Sequence, residues 1–439
     1  MCKKLPSAML AVAVALVFLV GCSKSSGAGS KAHVTLRFAT QNLVDPMGIV
    51  TKGILASFDK KNPNVTLSIE EAAGNNLITL VNTEIMAGDT PDVFTYWRPE
   101  SGWNVPSYVK AGDLANLTAL SQTPALKNIF PAYAMKTAKE VDNTVYAIPR
   151  TNYFIEFLVN KDIFNKYNIP LPTSWQNLVN AIPQLKAHGI IPWAESSIFN
   201  QDDSARPLNA ILDRVFGNKG ALALMDGKAH WTNNPKVLTA LKYFITIAAN
   251  DGPPDESVLS IGQSVAKYLN TGKAAMVLDN VGTVDLQLTK AIEPSLEALP
   301  FPLTPVTVEK TPSAEADVTN LVYASAKSYK DPAKRAHIDE LITDLCDQAA
   351  ATSYAEDAQQ VVPQLGLNLN TSLIPKIMLD AEAVQAKEPG DKWLLSFMSN
   401  EAKGKWRDIV DNVWYGKLTD PTVMASELDA GLYGKSPQS

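Results

Sequence analysis

The side chains able to do chemistry are few and scattered. His33, His188, His230 and His337 lie far apart, and none falls in the H-E-x-x-H spacing that sets two imidazoles on one helical face around zinc. G-x-S-x-G, G-x-x-x-x-G-K-[ST] and G-x-G-x-x-G do not occur, so a nucleophile elbow, a P-loop and a dinucleotide fingerprint have no sequence support. What remains is a set of aromatics beside polar groups. Trp193 stands two residues before Glu195, Trp97 adjoins Arg98 and lies close to Glu100, and Trp231 sits in the polar turn His230-Trp231-Thr232-Asn233-Asn234. Aromatic faces stack on the C–H faces of sugars, while carboxylates, amides and guanidinium groups bond the hydroxyls. A glycosidase would need two carboxylates about 5–10 Å apart, but a carboxylate beside a tryptophan serves equally to hold a hydroxyl. The pattern favours binding over catalysis, and no catalytic residue, metal ligand or cofactor site is assigned.

Composition sets the class. The chain has 439 residues, 46% of them hydrophobic and 19% charged, an ordinary globular mixture with room for two or three domains. A net charge of −6, from 39 basic and 45 acidic residues, argues against a nucleic-acid binder held by phosphate contacts. Three cysteines, Cys2, Cys22 and Cys346, are too few and too scattered for a disulfide framework or a cysteine-rich zinc site.

The N-terminus sets the compartment. Lys3 and Lys4 precede an apolar run, Ala8 to Val20, which is shorter than the roughly 20 residues a membrane span needs. A basic start with a short apolar core reads as a secretory signal, residues 1–21. Leu19-Val20-Gly21-Cys22 resembles the lipobox of bacterial lipoproteins, which implies cleavage before Cys22 and acylation of its thiol. Cleavage there leaves 418 of the 439 residues and, with Lys3 and Lys4 gone, takes the charge from −6 to −8. Residues 22–32, rich in Ser and Gly, read as a flexible tether that holds a soluble body to a membrane face. Cys346 is then the one other thiol, on a helical stripe with Ile338, Leu341, Ile342 and Leu345 that makes it a buried, inert side chain.

The body alternates strand and helix. His33–Ala39, Val65–Ile69 and Asp92–Tyr96 read as strands, with helical spacing over Val50–Phe58 and Leu77–Ile85 between them. That β-α-β-α-β order predicts a parallel sheet covered by helices. A second unit begins near Ile155, with a strand over Glu156–Asn160. A helix follows over Trp175–Leu185, preceded by capping-box spacing at Thr173-Ser174-Trp175-Gln176 and interrupted by Pro183. Trp175 on its apolar face reads as core. A short helix over Val265–Asn270 and an extended Ala274–Leu278 come next, and the last hundred residues are mostly helical in pattern.

These segments, in this order, resemble the bacterial extracellular solute-binding proteins of family 1, the sugar-binding lipoproteins of ABC importers. The matching stretches are Phe58–Val65, Gly88-Asp89-Thr90-Pro91-Asp92-Val93, Ala111–Thr118, Tyr146-Ala147-Ile148-Pro149, Leu158–Phe164 with Pro172–Leu178, Gly272-Lys273-Ala274-Ala275-Met276 and the helix opening at Asp331-Pro332-Ala333. The resemblance implies a two-lobe α/β clamp of the periplasmic-binding-protein kind (class II), each lobe a mainly parallel sheet flanked by helices. Lobe 1 would hold residues 33–154 and about 319–370; lobe 2 would hold 155–318 and about 371–439. The crossings would lie near Tyr153–Glu156 and Glu315–Tyr323. By position, the resemblance implies ligand contacts from Thr40, Gln41 and Asn42, from Trp97, Arg98 and Glu100, and from Asn152 and Tyr153. On the second lobe it implies Trp193, Glu195, Asp279 and Asn280, with Asn320 at the second crossing and Trp406 as a late stacking aromatic. Trp231 joins them from its own polar turn. Gly282 departs from the aromatic that many members carry there. The implied partners are a carbohydrate, the permease subunits of an ABC transporter and the bilayer reached through acylated Cys22, with no nucleic acid, the protein acting as a monomer in the cell envelope. Alternatives are the same fold around a polyol or glycerol-phosphate type of solute and, from another class, a surface polysaccharide lyase or hydrolase.

Overall fold

A computed structural model describes residues 33–433, apart from 42, 73–74, 98–104, 140, 198–202, 312–313, 388–389, 392–393 and 399. In chain order the strands are β1 (Val34–Thr40), β2 (Val65–Glu71), β3 (Val93–Trp97), β4 (Ala147–Asn160), β5 (Ile191–Trp193), β6 (Ala274–Asn280), β7 (Leu296–Leu299), β8 (Ala314–Ala324) and β9 (Gly390–Asp391). β2 and β3 both pair with β1 in parallel, as the alternating order requires. The helix between β1 and β2 spans Pro46–Lys61. Asp45 caps it by accepting the Gly48 N–H at 2.6 Å, and Pro46 brings a preset backbone angle to its first turn. Leu55 and Phe58 on its inner face join Leu36, Phe38, Val81 and Phe94 in one apolar core.

β4 is longer than the expected Glu156–Asn160, because Pro149, Arg150, Thr151 and Asn152 break the apolar pattern of its first half. All of its residues but Asn152 are buried. The first half pairs antiparallel with β8, the second half antiparallel with β6 and β7. The path through the sheet is β2-β1-β3-β8-β4-β6-β5, so the sheet is mixed. β1–β2, β1–β3, β5–β6 and β8–β9 are parallel, whereas every contact of β4 is antiparallel.

Two further cores lie beyond the middle of β4. One gathers Phe157, Trp193, Leu212, Phe244, Val410 and Met424; the other gathers Leu158, Tyr268, Val277 and Met378, and also takes Ala355 and Val361. Ser174, rather than Thr173, caps the helix Trp175–Ala187, its hydroxyl accepting the Asn177 N–H at 3.2 Å, and the helix runs on past Pro183. Trp175 lies in the core as expected, with its ring 5.0 Å from that of Tyr243. Cys346 is wholly buried at the end of the helix Pro332–Cys346, and burial pushes its thiol up, consistent with an inert side chain.

The pairing of β4 with β8 slips in the middle. Pro149 stands opposite Leu321, Thr151 opposite Asn320 and Asn152 opposite Val318, so Arg150 and Thr319 fall outside the ladder. Arg150 is 1% exposed and stitches distant segments together. Its Nε and Nη2 donate to the Tyr354 hydroxyl at 3.0 and 2.7 Å, Nη2 also donates to the Thr51 hydroxyl, and the guanidinium carbon sits 4.7 Å from the Tyr354 ring centre. The buried guanidinium relies on these oxygens, so Tyr354→Phe is expected to cost about 1–3 kcal/mol. Urea denaturation checks this; an unchanged midpoint would contradict the stitching role.

Candidate ligand-binding site

In open α/β sheets, ligands sit beyond the carboxyl ends of parallel strands. Thr40 and Gln41 stand at that end of β1. Thr95 donates its hydroxyl proton to Thr40 Oγ1 at 3.2 Å, and Asn320 Nδ2 donates to Gln41 Oε1 at 3.1 Å. Trp97 closes β3 opposite Asn320. Asn42, Arg98 and Glu100 lie outside the described residues.

The crossing strands carry the next group. Asn152 Nδ2 donates to the Tyr133 hydroxyl at 2.5 Å, and its backbone N–H donates to Val361 O at 2.8 Å, tying a third chain segment to the crossing. The Tyr153 hydroxyl donates to Glu315 Oε1 at 3.4 Å. Arg206, in the first turn of the helix Arg206–Met225, donates to the same oxygen at 2.7 Å and lies 3.8 Å from Asp203. A small crevice, with room for about 20 Å³, adjoins this cluster; Glu156, Arg206, Asn209, Asp213, Arg214 and Glu315 line it.

On the far side, Glu195 follows β5 and is fully buried. Its Oε1 accepts the Leu278 N–H at 3.0 Å, while Oε2 has no hydrogen-bond partner. Burial first, then the charge of Asp279, pushes this carboxyl well above the usual range; the Leu278 amide and Arg206 act the other way. Asp279 stands opposite Glu156 in the ladder, and its Oδ1 accepts the Asn280 N–H at 2.5 Å. Asn280 caps the short helix after β6 by accepting the Gly282 N–H at 3.2 Å. A side chain at Gly282 would meet nothing nearer than Asn280 Oδ1 at 3.7 Å, so packing does not force the small residue there.

Three tryptophans expected at the ligand lie elsewhere. Trp193 is wholly buried: its Nε1 donates to Ile247 O at 2.8 Å, and its ring packs against Phe157 and Trp414. The turn around Trp231 folds inward because Asp429 accepts its backbone N–H at 2.9 Å and that of Thr232 at 2.8 Å. Trp231 then meets Trp406 at 5.7 Å between ring centres, both rings fully enclosed in the core of the second half. All three are buried in the core, with no exposed stacking face.

Further buried acids and their partners, not singled out in the sequence, gather in the same region. Glu315 and Asp317 were legible as acids alternating inside an apolar strand. Glu256 and Asp411 carried no local signal. Asp411 accepts the hydroxyls of Ser197 at 3.0 Å and Ser204 at 3.2 Å, on either side of residues 198–202. Glu256 is buried against it, and burial together with the Asp411 charge pushes its carboxyl up to about 8. Burial raises Asp411 as well, its two serine partners opposing. Among the described residues, no group of three or more His, Cys, Asp or Glu side chains could hold a metal ion, and no helix is long and apolar enough to cross a membrane.

The raised Glu256 value has a definite sign. The folded state favours the neutral acid, so the group's stabilising contribution is complete below the ordinary value near 4.5 and is lost as pH rises through about 8. Glu256→Gln, a mimic of the neutral acid, is expected to be more stable than the natural protein above pH 8, the gap closing toward pH 4.5. Thermal unfolding across that range checks it, and a variant destabilised equally at all pH values would contradict it.

The family described as bacterial extracellular solute-binding protein matches residues 41–337. A multiple sugar-binding protein of Streptococcus mutans is 26% identical over 184 residues, 42% of this chain and 41% of the relative. With the next two curated relatives the shared stretch is 42% and 57% of their length, so the chain spans about half of the curated relatives it matches. Among solved structures, a chitin oligosaccharide binding protein superposes with a TM-score of 0.74 at 18% identity, covering 90% of this chain and 97% of the other. RafE from Streptococcus pneumoniae, in its apo form, superposes with a TM-score of 0.71 at 16% identity, covering 92% and 98%. These likenesses give the two-lobe α/β fold, and the match over residues 41–337 places the chain in the bacterial extracellular solute-binding protein family.

Proposed function

We propose that this chain is the capture subunit of an ABC importer: it closes on a sugar or oligosaccharide between two lobes and delivers it, chemically unchanged, to the permease. The observation that carries the reading is the pair of strands β4 and β8, paired with one another where they join two bodies with separate cores. The reading assigns residues 33–154 and about 319–370 to lobe 1 and residues 155–318 and about 371–439 to lobe 2, with the exceptions that Val318 packs in the first core and that Ala355 and Val361 pack with Leu158 and Val277 in the third. A ligand touching both lobes stabilises the closed state by its contacts with each. The reading assigns the ligand contacts to Thr40, Gln41, Asn152, Tyr153, Glu195, Asp279, Asn280 and Asn320, joined by Arg206 and Glu315, and, by the family resemblance alone, to Asn42, Trp97, Arg98 and Glu100. Relatives named for sugars support a carbohydrate, among them the multiple sugar-binding protein and a melibiose/raffinose/stachyose-binding protein of Bacillus subtilis.

Charge ranks the alternatives. Glu156, Glu195, Asp203, Glu256, Asp279, Glu315 and Asp411 are all buried on the second-lobe side, whereas Arg206 is already engaged by Glu315 and Arg214 by the Phe301 carbonyl at 3.0 Å. A wall so rich in acceptors suits hydroxyl donors and disfavours a phosphorylated solute. A lyase or hydrolase remains the reading from another class, with Glu195 as its acid.

Calorimetry and thermal shift with raffinose, melibiose, galactose, xylotriose and chitobiose test the proposal. Saturable binding is expected, raising stability by about 2.7 kcal/mol at a hundredfold excess over Kd, with the sugar recovered intact. No binding across the panel would overturn the sugar reading; release of reducing ends, abolished by Glu195→Gln, would point to the enzyme instead.

The chain is further proposed to reside in the cell envelope as a monomer, its residues 1–21 removed and Cys22 acylated, facing the periplasm or the outside. Cys22→Ser is expected to move the protein from the membrane fraction to the soluble fraction and to abolish incorporation of labelled palmitate. Unchanged membrane retention and labelling would contradict the anchor.

A further inference from the structure

Gln41 directly follows β1, and Asn320 stands in β8 opposite Trp97, the last residue of β3. Their side-chain amides face one another, Asn320 Nδ2 donating to Gln41 Oε1 at 3.1 Å. Gln41 is 8% exposed and Asn320 is fully buried. That single bond leaves Gln41 Nε2 and Asn320 Oδ1 buried with no hydrogen-bond partner. The result does not depend on which way the amides are turned. Rotating both by a half-turn reverses their mutual bond and leaves Gln41 Oε1 and Asn320 Nδ2 instead, again one acceptor and one donor. The neighbouring hydroxyls of Thr40 and Thr95 bond each other. Buried amides are normally satisfied, so a donor and an acceptor left side by side at the carboxyl end of parallel strands call for a group that answers both.

We propose that Gln41 and Asn320 together read one hydroxyl of the ligand in both directions, the amide N–H donating to the hydroxyl oxygen and the hydroxyl proton going to the amide oxygen. This rests on the sugar-binding reading above and makes the pair a specificity device within it. An ether, carboxylate or phosphate oxygen only accepts, and would meet the lone pairs of the amide oxygen. An ammonium only donates, and would meet the amide N–H. A hydroxyl is the common ligand group that does both. Removing it leaves two buried polar ends unpaired, which corresponds to roughly 10- to 100-fold in affinity.

The test takes the tightest-binding member of the set raffinose, melibiose, galactose, xylotriose and chitobiose, together with its complete series of monodeoxy analogues. Calorimetry measures each against the natural protein and against the double variant Gln41→Met with Asn320→Leu. The expected result is one deoxy position that weakens binding about 10- to 100-fold in the natural protein and has little effect in the double variant, a coupling that a general loss of structure would not produce. Asn320→Asp keeps the size of the side chain but removes its donor, so that the Gln41 amide N–H turns to the new carboxyl and only acceptor oxygens are left for the ligand; it is expected to fold normally, by circular dichroism and thermal unfolding, and to lose the same discrimination. Deoxy penalties of equal size in the natural protein and both variants would overturn the proposal, meaning that the amides hold an ordered water instead. A set in which the parent sugars bind but no deoxy position is singled out also overturns it while leaving the sugar reading intact. Failure of every parent sugar to bind removes the sugar reading and this inference with it.

Discussion

Everything in this molecule hangs on two strands that belong to both halves. β4 runs unbroken from Ala147 to Asn160, its first half in the ladder with β8 and its second half with β6 and β7. Neither half can leave that ladder without exposing backbone N–H and C=O groups that burial obliges to pair. The halves therefore stay joined, and the pairing of β4 with β8 is least regular at one place. That place is the slip between Pro149 and Asn152, opposite Asn320 and Val318. The buried Arg150 sits within it, held by hydroxyls from residues 51 and 354, and Val361 takes the Asn152 N–H. Three distant stretches of chain thus converge on the few residues that a hinge would use.

The polar groups around this junction divide by chemistry. On the first side amides and hydroxyls dominate, Gln41, Asn320, Thr40 and Thr95, and they bond one another in pairs. On the second side carboxyls dominate, and burial holds Glu195 and Glu256 toward their neutral forms. A proton on such a group converts an acceptor into a donor. Holding these carboxyls neutral avoids a buried negative charge, which would be costly in an apolar setting.

Much of the architecture was legible because it rests on periodicity. β1 to β3 and the helices between them follow from alternation and from apolar residues three and four apart, and each appears within a few residues of its expected span. The crossing strand was read only in its second half, since Pro149, Arg150, Thr151 and Asn152 hide a strand whose polar residues are buried for tertiary reasons. The aromatics misled for a related cause. Trp231 lies in a polar turn by sequence, yet Asp429, 198 residues away, turns its backbone inward and its ring into the core. Trp406 sits on the apolar stripe of its helix with Val410 and Val413, a pattern that already pointed to packing. Glu256 and Asp411 meet across 155 positions of sequence, and no local spacing could have paired them.

The central claim is that a bound sugar brings the two bodies together about β4 and β8. Spin labels at Lys60→Cys and Lys236→Cys, both exposed and on opposite halves, report it directly by pulsed electron resonance in a Cys2→Ser, Cys22→Ser background, where buried Cys346 takes no label. The account predicts a distance distribution that shifts to shorter values as a bound sugar from the panel approaches saturation, with the same midpoint as calorimetry. A distribution that stays in place while binding saturates would contradict it.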